Sequence, residues 1–144
     1  MATAKPGPIQ GRCLCGAVTV EVDHLADTIS ACHCTPCRRW SGSAMLVIEG
    51  RGVRATGPVK TYASSSFATR AWCDVCGSNL WIRDNGSEVT DLMPGLFENF
   101  AGAHLAREVY ADRCPPGLAF AGDHPRISAE AYEAEHMHTT GETP

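Results

Sequence analysis

The sequence predicts a mainly β protein of short antiparallel strands, with at most one short helix near the C-terminus. Two observations predict it, and a third marks where the chemistry of the chain lies. Short alternating or β-branched segments recur along the chain, as at residues 17–22 and 67–72, in the period-two pattern of strands with one face buried. Glycine and proline separate them, 14 and 9 of each among 144 residues, and these residues punctuate turns better than they sit in helices. Finally, seven of the eight cysteines fall into three tight groups: Cys13 and Cys15, then Cys32, Cys34 and Cys37, then Cys73 and Cys76.

Taken in order, residues 1–8 read as a flexible leader with two prolines and no apolar stretch. A domain is expected over residues 9–127, and residues 128–144 are expected to form a C-terminal helix or tail. Residues 17–22 are the first strand, 23–27 a turn, and 28–31 a short strand entering the three-cysteine group. Pro36 lacks an N–H and fixes the turn between Cys34 and Cys37. Residues 44–48, Ala-Met-Leu-Val-Ile, are an uninterrupted apolar run and predict a buried strand. Gly50-Arg51-Gly52 and Thr56-Gly57-Pro58 are turn signals, with a strand over 59–63 after them. Ser64-Ser65-Ser66 marks a hairpin tip before the alternating residues 67–72. Strands are expected at 79–82 and 88–93 around the tight turn Asp84-Asn85-Gly86, and at 108–110. Residues 95–106 are ambiguous, with a single helical turn as one reading. Residues 128–137 are the one expected helix, with Ser128 as its N-cap.

Charge and composition exclude some functions. The formal net charge is −4, and no basic run is longer than Arg38-Arg39, which argues against a nucleic-acid or membrane-surface partner. The longest apolar run is far too short to cross a bilayer, and the N-terminal residues do not read as a secretory signal. A cytoplasmic location follows as the expectation. In a reducing compartment, clustered cysteines point to metal rather than to a disulfide framework.

Structural zinc takes four thiolates or imidazoles in a tetrahedron, delivered as two short knuckles distant in sequence. Cys73-Asp74-Val75-Cys76-Gly77 has the C-x-x-C-G form of one knuckle, and Cys13-Leu14-Cys15-Gly16 supplies a tighter one, each closed by a glycine. The competing reading is four buried free thiols or disulfides, but a C-x-C disulfide closes a strained ring. Cys32, Cys34 and Cys37 then remain as three ligands without an obvious fourth, the pattern of a zinc site that does chemistry. Its natural fourth ligand is the thiol of a small-molecule substrate, ionised by the metal. Arg38 and Arg39 are candidate substrate-binding residues that offset the accumulated negative charge. His33, His24, His104 and Cys114 are the protein alternatives for the fourth position. For His33 a hydrogen bond to backbone outside the metal's own ligands, or a plain surface position, is the expected role.

These residues carry a resemblance. Gly11-x-Cys13-x-Cys15-Gly16-x-Val18, Cys32-His33-Cys34-x-x-Cys37-Arg38, Gly42 and Cys73-x-x-Cys76-Gly77 together resemble the glutathione-dependent formaldehyde-activating (centromere protein V/Gfa) family over about residues 9–117. The resemblance implies a β-tent fold built around zinc. It implies a structural zinc on Cys13, Cys15, Cys73 and Cys76, and a second zinc on Cys32, Cys34 and Cys37 where glutathione would act. The activity implied is that of a carbon–sulfur lyase, joining glutathione to formaldehyde as S-hydroxymethylglutathione. Asp112-Arg113-Cys114-Pro115-Pro116 resembles the family's closing motif, with Cys114 where a small residue is usual and Pro116 where an aromatic is usual.

The expected function is therefore zinc-dependent addition of a small, glutathione-like thiol to formaldehyde or a related aldehyde. A non-catalytic zinc-binding scaffold or binding module of the same fold is the alternative. A thiol reductase using Cys114 is a third reading, weakened because neither the spacing around Arg113-Cys114 nor the knuckles match a B-type methionine sulfoxide reductase.

Overall fold

The computed structural model describes residues 4–141. The chain forms two compact bodies, one of residues up to 29 with 47–104, the other of residues 30–46 with those from 105 onward.

The first body holds most of the strands: β1 (Ala4–Arg12), the greater part of β2 (Thr19–Cys32) and of β3 (Met45–Thr56), then β4 (Val59–Ala63), β5 (Ala68–Cys73), β6 (Asn79–Asp84) and β7 (Val89–Leu92). Their order is β4-β5-β6-β7-β3-β2, with β1 also paired to β2. The β1–β2, β3–β7, β4–β5, β5–β6 and β6–β7 pairs are antiparallel. The period-two pattern explains the core: Val18, Val20 and Val22 are buried while Thr19 is exposed and Glu21 half-exposed. Ile48, Leu80 and Leu92 are buried with them, and Leu92 lies opposite both Ile48 and Trp81 in the ladders.

Several local expectations change here. Residues 4–8 belong to β1 rather than to a leader, because the backbone pairs with β2 from Ala4↔Ala26 onward, through a register shift between Pro6 and Ile9. Residues 1–3 of the expected leader lie outside the described residues. The same pairing removes the turn expected at 23–27, where Lys5 lies opposite Leu25 and keeps β2 extended. Gly50 and Arg51 likewise stay in β3, opposite Thr90 and Val89. Within the run 44–48 only Met45 and Ile48 are buried. Residues 94–102 resolve into two 3-10 turns, Pro94–Leu96 and Glu98–Gly102.

The second body takes the last residues of β2, helix α1 (Thr35–Ser41), the start of β3, nearly all of β8 (His104–Val109), β9 (Arg126–Ile127) and helix α2 (Ala129–Glu135). β9 lies parallel to β8, with Glu108 opposite Arg126. Helix α1 is additional to the one expected helix. Pro36 falls in its first turn, where a missing N–H costs nothing, so the residue read as a turn former starts a helix. At α2 the hydroxyl of Ser128 accepts from the Ala131 N–H at 3.2 Å, the cap the sequence predicts, while the Asp112 carboxylate accepts from the Ala129 N–H at 2.8 Å. The helix ends at Glu135, short of the expected residue 137. Beyond it, the buried Gly141 carbonyl accepts from the Thr35 N–H and from Arg113 Nη1, both at 3.0 Å. A Cβ at Gly141 would fall on the Tyr110 ring, so this approach requires glycine.

Candidate metal centres

The two knuckles meet within the first body. Both follow or precede a strand that fixes them: Cys13 comes directly after β1, and Cys73 ends β5, opposite Val59 of β4. Each closes on itself through a glycine N–H, Gly16 to the Cys13 carbonyl at 3.2 Å and Gly77 to the Cys73 carbonyl at 2.9 Å. Both glycines have positive φ, 81° and 77°, a conformation a Cβ would oppose. The sulfurs of Cys13, Cys15, Cys73 and Cys76 lie within 4.8 Å of one another. The exposed Leu14 and Val75 point outward between them.

The distances discriminate between the readings. Cys13 Sγ to Cys15 Sγ is 3.6 Å and Cys15 Sγ to Cys73 Sγ is 3.9 Å. A disulfide needs about 2.05 Å. A tetrahedral zinc with Zn–S bonds of about 2.3 Å places its sulfurs about 3.8 Å apart. The four residues therefore fit such an ion and are not bridged.

Their electrostatics ask for a cation. Backbone N–H groups of Val18, Ala17 and Val75 lie 3.3–3.4 Å from the sulfurs of Cys13, Cys15 and Cys73. The hydroxyl and then the N–H of Ser78 pull Cys76 down to about 5. At Cys13 burial opposes ionisation, but the Val18 N–H and the sulfurs of Cys15 and Cys73 outweigh it and lower the thiol. At Cys15 the Ala17 N–H favours the thiolate, yet burial and the neighbouring sulfurs prevail and push it up to about 11. Sulfurs this close cannot all carry charge unless a cation sits among them.

The second group lies in the second body. Cys32 ends β2, Cys34 is the N-cap of α1 in extended conformation (φ −66°, ψ 159°), and Cys37 is buried in the helix. Their three sulfurs also lie within 4.8 Å of one another. The sulfurs of Cys34 and Cys37, and then burial, push the Cys32 thiol well above its ordinary value. Among the described residues no fourth cysteine, histidine or carboxylate joins this group. His24, His104 and Cys114 stand outside it, and the Cys114 thiol donates to the Pro115 carbonyl at 3.4 Å. Arg38 donates from Nη1 to the Arg113 carbonyl at 3.4 Å, and its Nε is buried without a hydrogen-bond partner. Arg39 is exposed.

His33 is not the surface residue the sequence allows for. It is buried, and its Nε2 lies 2.7 Å from Glu108 Oε1. The other carboxylate oxygen of Glu108 lies 2.6 Å from His124 Nε2 and 3.1 Å from Arg126 Nε. Burial disfavours the Glu108 carboxylate, but His124, His33, the Phe120 N–H and Arg126 outweigh it and hold the group below the usual range. Glu108, His124 and Arg126 were not singled out from sequence. The available signal was a charged residue at position 108 followed directly by the apolar pair Val109-Tyr110.

Comparison with known proteins agrees with this picture. Residues 8–113 match the family described as "Glutathione-dependent formaldehyde-activating enzyme". An uncharacterized lyase of Schizosaccharomyces pombe is 31% identical over 116 residues, covering 78% of this chain and 85% of that protein. A crystal structure of a Rhodobacter sphaeroides protein superposes with a TM-score of 0.54 at 22% identity, covering 68% of this chain and 100% of the other, which supports the fold.

Proposed function

The chain belongs to the glutathione-dependent formaldehyde-activating enzyme family, and from that premise we propose that it is a zinc-dependent carbon–sulfur lyase acting on a small, glutathione-like thiol and formaldehyde or a related aldehyde. The observation that carries the reading is the contrast between the two groups: one has four sulfurs, the other three and no fourth protein ligand among the described residues. The relative named as a lyase supports the reaction class.

In this reading Cys13, Cys15, Cys73 and Cys76 hold a zinc that maintains the fold, while Cys32, Cys34 and Cys37 hold a second zinc. The second ion would supply a soft Lewis acid that keeps a substrate thiol ionised at neutral pH. The reaction is an addition. The thiol sulfur forms a bond to the carbonyl carbon, the carbonyl electron pair moves to oxygen, and a proton ends there, so that thiol and aldehyde give a hydroxyalkyl thioether with no oxidant required. Cys34 and Cys37 are buried and Cys32 is half-buried, which keeps competing water from the sulfurs. Arg38, with a buried donor lacking a partner, offers positive charge beside the group. An unsatisfied buried donor costs about 1–3 kcal/mol, a cost that an anionic ligand would relieve. Arg39 would contribute at longer range. The reduced state that this chemistry requires fits a cytoplasmic setting, and among the described residues no helix is long and apolar enough to cross a membrane.

Calorimetric titration of the metal-loaded protein with glutathione, together with NMR exchange measurement of hemithioacetal formation, tests the proposal. Binding and accelerated exchange, both reduced in Arg38→Ala, are expected. Two retained metals with neither effect would instead favour the non-catalytic zinc module.

A further inference from the structure

The thiol site owes its geometry to more than its three sulfurs. In an extended segment neighbouring side chains leave on opposite faces. The Cys32 and Cys34 sulfurs lie within 4.8 Å of one another, while the ring of His33 between them turns to Glu108, so whatever fixes residue 33 aims both sulfurs. His33 is fixed twice: its N–H donates to the Val109 carbonyl at 3.0 Å, and its ring meets Glu108 at 2.7 Å. Glu108 is 0% exposed. It is held in turn by His124 at 2.6 Å and Arg126 at 3.1 Å. A buried carboxylate with a single donor would be costly and free to turn about that bond. Donors arriving from the cysteine loop, from residue 124 and from β9 leave it one orientation.

We propose that Glu108 is a positioning residue for the three-cysteine site, acting through His33 to hold Cys32 and Cys34 in a ligand-ready arrangement. It touches neither metal nor substrate. The inference rests on the reading that these cysteines hold a metal, and it adds a reason for the site to be preformed. Groups that orient metal ligands from outside the coordination shell typically change affinity about 10–100-fold when removed.

The test uses the full chain loaded with zinc, and with cobalt(II) as a spectroscopic probe. Release of each metal equivalent to a coloured chelator is followed in wild type, Glu108→Gln, His33→Gln and the double variant. The expected result is that one of two equivalents leaves at least about tenfold faster in each single variant. The other should leave at the wild-type rate. The cobalt–thiolate absorption of the faster equivalent should shift. Both substitutions weaken the same charge-assisted His33–Glu108 contact, so their effects should not add and the double variant should be no faster than the singles. Should Glu108→Gln not fold, His33→Gln carries the same comparison, since His124 and Arg126 still hold the carboxylate. Equal acceleration of both equivalents would mean general loosening and overturn the proposal, as would additive effects in the double variant. Two metals bound with unchanged release in both singles would overturn it while leaving the proposed function intact. A wild-type chain that binds only one metal would overturn both.

Discussion

Tyr110 shows how one side chain can tie the second body together. It is buried, follows β8 in a left-handed conformation (φ 54°), and donates its hydroxyl to Glu133 at 2.8 Å. The same carboxylate oxygen accepts from the Gly141 N–H at 2.9 Å. Burial, and then the adjoining Glu133, push the phenol well above its ordinary value. Because the folded value is raised, the fold favours the protonated phenol. That contribution is fully present below the unfolded tyrosine value of about 10 and is lost as pH rises beyond it. Absorbance at 295 nm should therefore show at least one of the three tyrosines ionising late in the native protein, and urea unfolding should show stability falling above about pH 10. Tyr110→Phe should remove the late phenol, flatten the alkaline fall, and cost about 1 kcal/mol at neutral pH. Legibility at this scale follows the range of the interaction. The two cysteine groups are readable because short spacings bring them together locally, as in Cys73-x-x-Cys76. The pair His33 and Glu108 is separated by 75 positions, and no local pattern announces it.

Among the elements, the turn Glu98–Gly102 stands out because Asn99, Phe100 and Ala101 all adopt left-handed conformations, with φ of 50°, 53° and 53°. Each non-glycine residue there bears a cost of about 1–2 kcal/mol. Replacing Ala101 by glycine should relieve that cost, partly offset by the greater chain entropy of glycine in the unfolded state. A net gain of about 0.5–1 kcal/mol in chemical denaturation is expected. The same exchange at the exposed Ala131, inside α2, should lose about 0.5–1 kcal/mol. If both substitutions destabilise equally, the left-handed turn is not the strained element described. Elements were readable from sequence where side-chain period decides them, as in Val18, Val20 and Val22, or where a cap does, as with Ser128. They were misread where pairing decides. Residues 23–27 look like a turn by composition, yet β1 lies along them and holds them extended. Helix α1 has seven residues, too few for a helical period to emerge, and its proline serves equally well in a turn.

For the whole molecule, the two cysteine groups, once loaded with metal as proposed, should differ in what they do for folding, because they close very different lengths of chain. Cys15 and Cys73 are 58 positions apart, so an ion joining the knuckles removes much conformational freedom from the unfolded chain. Cys32, Cys34 and Cys37 lie within one strand end and one helical turn, where closure removes little. A four-thiolate zinc contributes on the order of 10–16 kcal/mol, against a net stability of about 5–15 kcal/mol for a domain. Removing one ligand from the first centre should therefore abolish cooperative folding, and removing one from the second should not. Cys73→Ser is expected to lose the sharp thermal transition and to yield little folded chain, and strong chelators should do the same to wild type. Cys34→Ser should keep one metal per chain and a transition within a few degrees of wild type, while losing any response to glutathione. Metal analysis, circular dichroism melts and calorimetry on the three proteins separate these outcomes. Collapse of the fold in Cys34→Ser as severe as in Cys73→Ser would make the second centre structural too, and the division of labour behind the proposed chemistry would not stand.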